Sequence, residues 1–214
     1  MVPVSETPSL TERRRHATRL EIARTAARLF TEHGATGTTA EAIAATAGIG
    51  LRTFYRYSRT KEDAVAPLLT VGGDAWRARL AATPAGTPLH RAIEEAIAES
   101  LREPSQASGD DDFAWVRGLL AATRDDPALA AVWARVNQDS EARLLPILAA
   151  LAPDADRRHL RVVAAAATAA IRVALESWAL DDAPADDQIP PADLAVRLWR
   201  ALSVGLTGSE PATP

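Results

Sequence analysis

Residues 47 to 61 read Ala-Gly-Ile-Gly-Leu-Arg-Thr-Phe-Tyr-Arg-Tyr-Ser-Arg-Thr-Lys. Both tyrosines of the chain (Tyr55, Tyr57), one of its three phenylalanines (Phe54), three arginines (Arg52, Arg56, Arg59) and its single lysine (Lys61) fall in this stretch. Such a mixture suits grip on a polyanion. Arginine holds a phosphate, or a guanine edge through two parallel N–H bonds. A tyrosine ring packs while its hydroxyl donates to a phosphate oxygen. An ammonium near the backbone N–H groups at a helix start binds phosphate together with them.

The charge distribution agrees with that chemistry. The 214 residues carry a net charge of −4, which by itself argues against nucleic acid. The charge is unevenly spread, however. Residues 1–61 hold ten basic and five acidic side chains, and residues 62–214 hold fourteen basic and twenty-three acidic ones. A basic head on an acidic body is expected when one end docks on a polyanion and the rest does not.

The elements that must position these residues are helical. No run of alternating β-branched residues bounded by turns reads as a strand. Thr11 to His33 has apolar residues at three- and four-residue spacing and stops at Gly34. Thr38 and Thr39 offer an N-cap for a short helix, Ala40 to Ala47. Gly48-Ile49-Gly50 is a tight turn, and Leu51 to Tyr57 a third short helix. Thr60 caps a fourth, over about 61–82, with bends expected at Pro67 and at Gly72-Gly73. Longer helices follow, near 88–102, 110–122, 127–151, 154–180 and 191–206, the third containing Pro146. The expected fold is therefore all-α, with about nine helices: an N-terminal three-helix helix-turn-helix domain and a C-terminal helical bundle. The expected division is residues 1–60 for the head, including a flexible arm over about 1–11, residues 61–207 for the bundle, and a disordered tail over 208–214.

The order Thr39-x-x-x-Ile43-Ala44-x-x-Ala47-Gly48-Ile49-Gly50-x-x-Thr53-Phe54-Tyr55-Arg56-Tyr57, followed by Thr60-Lys61-Glu62-Asp63, resembles the DNA-binding domain of TetR-type (TetR/AcrR) transcriptional regulators. The preceding Ala26-x-x-Leu29-Phe30-x-x-x-Gly34-x-x-Gly37 is similar to that family's first helix and its exit. The resemblance covers about fifty residues. Beyond them, helix number and lengths look like the actinobacterial members with an acyl-CoA-like ligand domain. The resemblance implies phosphate-positioning places for Thr39, Thr53, Tyr55, Tyr57 and Lys61, and places near the bases or groove wall for Gly50, Leu51, Arg52 and Arg56. Arg52 stands where glycine is common, which makes it the chosen base reader. Departures are Gly50 in place of a side-chain cap, Ser58 where a buried phenylalanine is usual, and Ala64 where leucine is usual. The last two thin the packing between the third and fourth helices. Phe54 is expected to face the core, sharing a face with Ser58, and Arg13, Arg14 and Arg15 to extend the DNA contacts as an arm.

In the second half, Trp115, Trp133 and Trp178 lie on three different expected helices, with Phe113 and Leu119 nearby. Bulky aromatics among many alanines either enclose a small-molecule cavity or form ordinary core, and both readings stand. Arg172, in the most apolar helix, calls for an anionic partner; Glu176 at i+4 is preferred over an acidic ligand. Ala165, Ala169, Val173, Leu194, Leu198 and Leu202 give the last two helices a second apolar face, and by resemblance they pair with a second copy. The chain has no cysteine, and its four histidines lack metal-ligand spacing. There is no phosphate-cradling glycine motif, nucleophile elbow or defensible carboxylate pair. No enzyme, metal or cofactor is expected. The start of the chain has no apolar run, so a cytoplasmic location is expected. The expected function is a homodimeric, sequence-specific DNA-binding regulator, a repressor that a small molecule releases from a palindromic operator. The alternatives are a regulator or activator needing no ligand and, more remotely, a helical interaction domain that binds no DNA.

Overall fold

The computed structural model describes residues 9–102, 110–181 and 188–205, with the backbone alone at 110–113. Every regular element among them is helical: α1 (Leu10–Gly37), α2 (Ala40–Thr46), α3 (Leu51–Tyr57), a 3-10 turn (Asp63–Val65), α4 (Ala66–Ala81), α5 (Leu89–Arg102), α6 (Asp110–Ala122), α7 (Pro127–Leu151), α8 (Arg157–Leu180) and α9 (Pro191–Ser203). The chain divides after Leu68 into two compact units.

In the first unit α1 starts earlier than its apolar spacing suggests. The Ser9 hydroxyl accepts from the Glu12 amide at 3.2 Å while the Glu12 carboxylate accepts from the Ser9 amide at 2.8 Å. This reciprocal pair satisfies two otherwise orphaned donors and fixes the helix start at Leu10. Arg13, Arg14 and Arg15 therefore project from a helix rather than a flexible arm, and residues 1–8 lie outside the described residues. The first three turns of α1 are exposed, and burial begins with Ile22, Ala23, Ala26, Ala27 and Phe30. At Gly34 the backbone takes φ 73°, ψ 158°, a left-handed φ that a side chain resists, and continuous helix ends there. The Thr38 hydroxyl, buried, is shared between the carbonyls of Leu29 (3.1 Å) and Gly34 (2.9 Å), closing the turn that follows. Thr39 then caps α2 by accepting from the Ala42 amide at 3.1 Å.

The entry to α4 differs from the single helix expected from residue 61. The Thr60 hydroxyl accepts from the Asp63 amide at 3.1 Å, but a 3-10 turn intervenes and α4 begins only at Ala66. Pro67 thus sits in the first turn, where its missing N–H costs no hydrogen bond, and is no cause of a bend.

The second unit is built around α8, which packs against α9, α7 and α6, while α5 packs on α9. Its main core joins Trp76 and Leu80 of α4, Ile93 and Ile97 of α5, Leu144 and Leu148 of α7, Val163, Ala164 and Ala167 of α8, and Trp199 of α9. Trp199 reconciles full burial with its polar N–H by donating to the His90 carbonyl at 3.0 Å. A smaller cluster gathers Leu120, Trp133 and Ala179, with Val116, Leu175 and Trp178 against it. α8 is long and apolar enough by composition to cross a membrane, yet one side of it forms the centre of this packed unit. Asp126 and Asp156 cap α7 and α8 through amides of their first turns. The expected tail, 208–214, lies outside the described residues.

Candidate nucleic-acid interface

α3 is seven residues long, and its faces are sorted by a single anchor. Phe54 has no exposed surface and pins the helix to the unit's interior. Removing its ring would cost about 3–5 kcal/mol by the usual large-to-small penalty. With Phe54 inward, the 100° step per residue turns Leu51, Arg52, Tyr55 and Arg56 outward. All four are exposed, Tyr55 by 51%. The Tyr55 ring stands edge-on to Phe54, centroids 5.4 Å apart, so the exposed ring is braced by the buried one. The Arg56 guanidinium lies 5.3 Å from the centroid of the half-buried Tyr57 ring. Thr53 is half-buried.

Ser58 does not share the Phe54 face. It is the C-cap residue of α3, in extended conformation at φ −139°, where the helix has already ended. Ala64 and Val65 of the 3-10 turn that follows are both buried. Gly50 leaves α3 without a side-chain cap, as its lack of a side chain requires. Gly48 turns the chain between α2 and α3 with φ 66°.

Lys61 has a partner set that the sequence does not display. Its ammonium donates to the carbonyls of Ala35 and of Thr38, the latter at 2.8 Å, and lies 3.6 Å from the Glu62 carboxylate. It adds a second donor at the Ala35 carbonyl, which also accepts from the Thr38 amide at 3.4 Å, and holds the segment leading into α2. Thr39 follows directly. Its hydroxyl oxygen accepts from Ala42, so its O–H remains available as a donor on an exposed residue. Of the residues expected to face DNA, Leu51, Arg52, Tyr55 and Arg56 are exposed on α3 and Thr39 is exposed before α2, whereas Thr53 and Tyr57 are half-buried and Lys61 is turned to backbone carbonyls.

The proposed ligand residues are more scattered. Leu119 and Trp133 are buried, and Trp115 and Trp178 are half-buried. The Phe113 side chain lies outside the described residues. Trp133 and Trp178 share the small cluster, and the Arg117 guanidinium covers the Trp178 ring at 5.2 Å. Trp133 Nε1 donates to Glu176 at 2.8 Å, and Glu176 also pairs with Arg172 at 2.8 Å, the i+4 partner expected. Arg77 went unnoticed in the sequence. It is 5% exposed, pairs with Asp74, and donates to the Ser140 hydroxyl at 2.6 Å. The only hint was an acid three residues before it on the same helix. Leu194 and Leu198 pack on the core of their own unit, whereas Val173 and Leu202 are exposed.

A short helix, a glycine turn, and a second short helix with one buried aromatic and an outward cationic-aromatic face define a helix-turn-helix unit of the kind that binds DNA. The comparisons agree. Residues 22–66 match the model of the family described as bacterial regulatory proteins, tetR family. The chain is 29% identical over 144 residues to the HTH-type transcriptional regulator TcmR of Streptomyces glaucescens; the match covers 67% of this chain and 64% of that protein, so it spans less than two thirds of the relative's length. Among solved structures, the fatty acid degradation regulator FadR from Bacillus halodurans superposes with a TM-score of 0.55 at 18% identity, covering 90% of this chain and 96% of that one. FadR of Thermus thermophilus, a TetR-family repressor solved with lauroyl-CoA, superposes with a TM-score of 0.52 at 21% identity, covering 92% and 98%. At these identities the two structures speak for the fold alone. Residues 22–66 are thus a segment of the tetR-family type, and the relative that matches over 144 residues is a regulator of the helix-turn-helix type.

Proposed function

We propose that this protein is a homodimeric transcriptional repressor that binds a palindromic operator and is released from it by a small molecule held in the second unit. The observation that carries the proposal is the outward set Arg52, Tyr55 and Arg56 on a helix fixed by buried Phe54, inside the segment that matches the family model. Arg52 reads a base edge in the major groove. Tyr55, Tyr57, Thr53 and Thr39 position the helix on phosphates, with Leu51 and Gly50 against the groove wall. Lys61 supports them by holding the segment before Thr39. The exposed arginines of the first turns of α1 add attraction for the backbone. An effector acts by binding the DNA-incompetent state more tightly than the competent one. The location is the cytoplasm, where the operator is.

The test is fluorescence anisotropy with the duplex upstream of the protein's own coding sequence, against a scrambled duplex of equal length and composition. Preference for the upstream duplex by about a thousandfold or more is expected; equal affinity would remove sequence-specific regulation. A second reading keeps DNA binding without an effector, and the core positions of Leu119 and Trp133 favour it. It predicts operator affinity that is insensitive to any small molecule the protein binds.

A further inference from the structure

Helical hydroxyls in this chain usually bond back to the carbonyl four residues earlier: Thr18 to Arg14 at 2.9 Å, Thr31 to Ala27 at 3.0 Å, and Ser100 to Ala96 at 2.6 Å. Thr168, in the middle of α8, does not. It is 7% exposed, and its Oγ1 is the one buried side-chain oxygen among the described residues with no hydrogen-bond partner. A hydroxyl withdrawn from water without a partner is a standing cost that native cores rarely retain.

Two charged side chains follow it along α8. Thr168, Arg172 and Glu176 follow at i, i+4 and i+8 on one side of α8. Glu176 is fully engaged, by Trp133 of α7 and by Arg172. Arg172, one turn after Thr168, spends one N–H on that bond, out of the five that a guanidinium carries. Helices α7 and α8 pack as an antiparallel pair joined by residues 152–156. Trp133 and Glu176 lie nearly equally far from that connection, which fixes the register through their bond. Ser140 and Thr168 are also equally far from it, so they share a level. Ser140 carries the hydrogen bond from buried Arg77 of α4. The Arg77–Ser140 bond therefore stands near the level of Thr168, while the Trp133–Glu176 bond lies about two helical turns away, with Arg172 one turn from both Thr168 and Glu176.

We infer that Thr168 and Arg172 form the polar end of an effector site whose ligand is an apolar organic molecule carrying a carboxylate or phenolate oxygen. The oxygen accepts from the Thr168 hydroxyl and from a spare Arg172 N–H, and the apolar body lies along α7 and α8. This rests on the second unit being an effector domain.

The full chain is titrated by calorimetry with 1-naphthoate and, as the cationic counterpart, 1-naphthylmethylamine, while operator binding is followed separately by anisotropy. Naphthoate is expected to bind and the amine to bind at least about tenfold more weakly. Thr168→Val is expected to weaken naphthoate about tenfold, and Arg172→Gln similarly. Thr168→Ser, which keeps the hydroxyl, should retain affinity within about threefold. In the ligand-free protein Thr168→Val should raise the thermal midpoint by about 2–4 °C, because it removes an unsatisfied hydroxyl. The inference is overturned if naphthoate does not bind at millimolar concentration, if the amine binds as tightly, or if Thr168→Val leaves both affinity and midpoint unchanged. Intact operator preference alongside any of those results confines the failure to this site. Loss of operator preference with Thr168-dependent naphthoate binding removes the repressor and leaves the site.

Discussion

The Lys61 ammonium donates to the Thr38 carbonyl at 2.8 Å, one residue before Thr39, the N-cap of α2. A side chain of the segment after α3 thereby fixes the start of the helix before it. Lys61→Met keeps the stem but removes these bonds, so affinity for every duplex should fall together, with no change of sequence preference. The salt dependence discriminates the mechanism. A direct phosphate contact would lower the slope of log affinity against log salt by about 0.9. A clamp acting through Thr39 should leave the slope nearly unchanged and should instead lower the midpoint of thermal unfolding. Anisotropy at several salt concentrations, with calorimetry, reads both.

Arg52 and Tyr55 should separate specificity from affinity. Arg52→Ala is expected to compress the preference for the upstream duplex by about 1–3 kcal/mol and to relax it at one position per half-site. Tyr55→Phe removes a hydroxyl but keeps the ring against Phe54, so it should weaken operator and scrambled duplex alike, by about 1 kcal/mol. Competition against singly substituted operators would show whether the loss is localised; a uniform loss with Arg52→Ala would reassign that residue to phosphate.

How much of this was legible in the sequence follows from how local each cause is. The bounds of α3, Leu51–Tyr57, rest on a glycine turn and a seven-residue pattern, and both could be read directly. Burial of Phe54 followed from the same wheel. The start of α1 was also local, since Ser9 and Glu12 stand at the spacing of a capping box, but the arginines after them suggested an arm. Ser58 misled because helical geometry was extended one residue past its end, into a C-cap residue with no helical face. The Lys61 clamp, the Arg77–Ser140 bond and the orphaned Thr168 hydroxyl join or isolate residues of different helices. No periodicity encodes such pairings; they are set by how the helices cross.

Glu94 and Arg200 tie α5 to α9 through two bonds, at 3.0 and 2.6 Å. Arg200 hydrogen bonding holds the Glu94 carboxyl below its ordinary value of 4.5, against the opposing push of burial. A depressed folded-state pKa contributes stability that is present above the unfolded value and lost as pH falls through the folded one. The contribution should therefore be complete at pH 7 and decline from about pH 4.5 downward. Glu94→Gln should lower the thermal midpoint at pH 7 by about 1–3 °C, since the pair is partly solvated. The gap between wild type and variant should narrow as the pH falls below 4.5 and close once the folded-state carboxyl is protonated. A gap that stays constant through the acid range would assign the loss to packing instead of charge.

Val162, Val173 and Leu180 on α8 and Leu202 on α9 are large apolar side chains left exposed in the single chain, at 52%, 36%, 39% and 46%. Val162, Ala165, Ala169, Val173 and Leu180 recur at spacings of three, four, four and seven, which places them on one face of α8, away from the face that forms the core. A helix apolar on both sides is stable when both are covered, and the proposed two-fold pairing of α8 and α9 would cover this one with the same surface of a second copy. Val173→Glu with Leu202→Glu leaves the core residues untouched and should keep the helical circular dichroism and the cooperative melt. It should halve the mass found by light scattering at micromolar concentration. The half-site heads would then bind independently, and affinity for the full operator should fall by about 100-fold or more, while a single half-site is bound as before. A variant that scatters at the wild-type mass would move the dimer contact elsewhere on the chain.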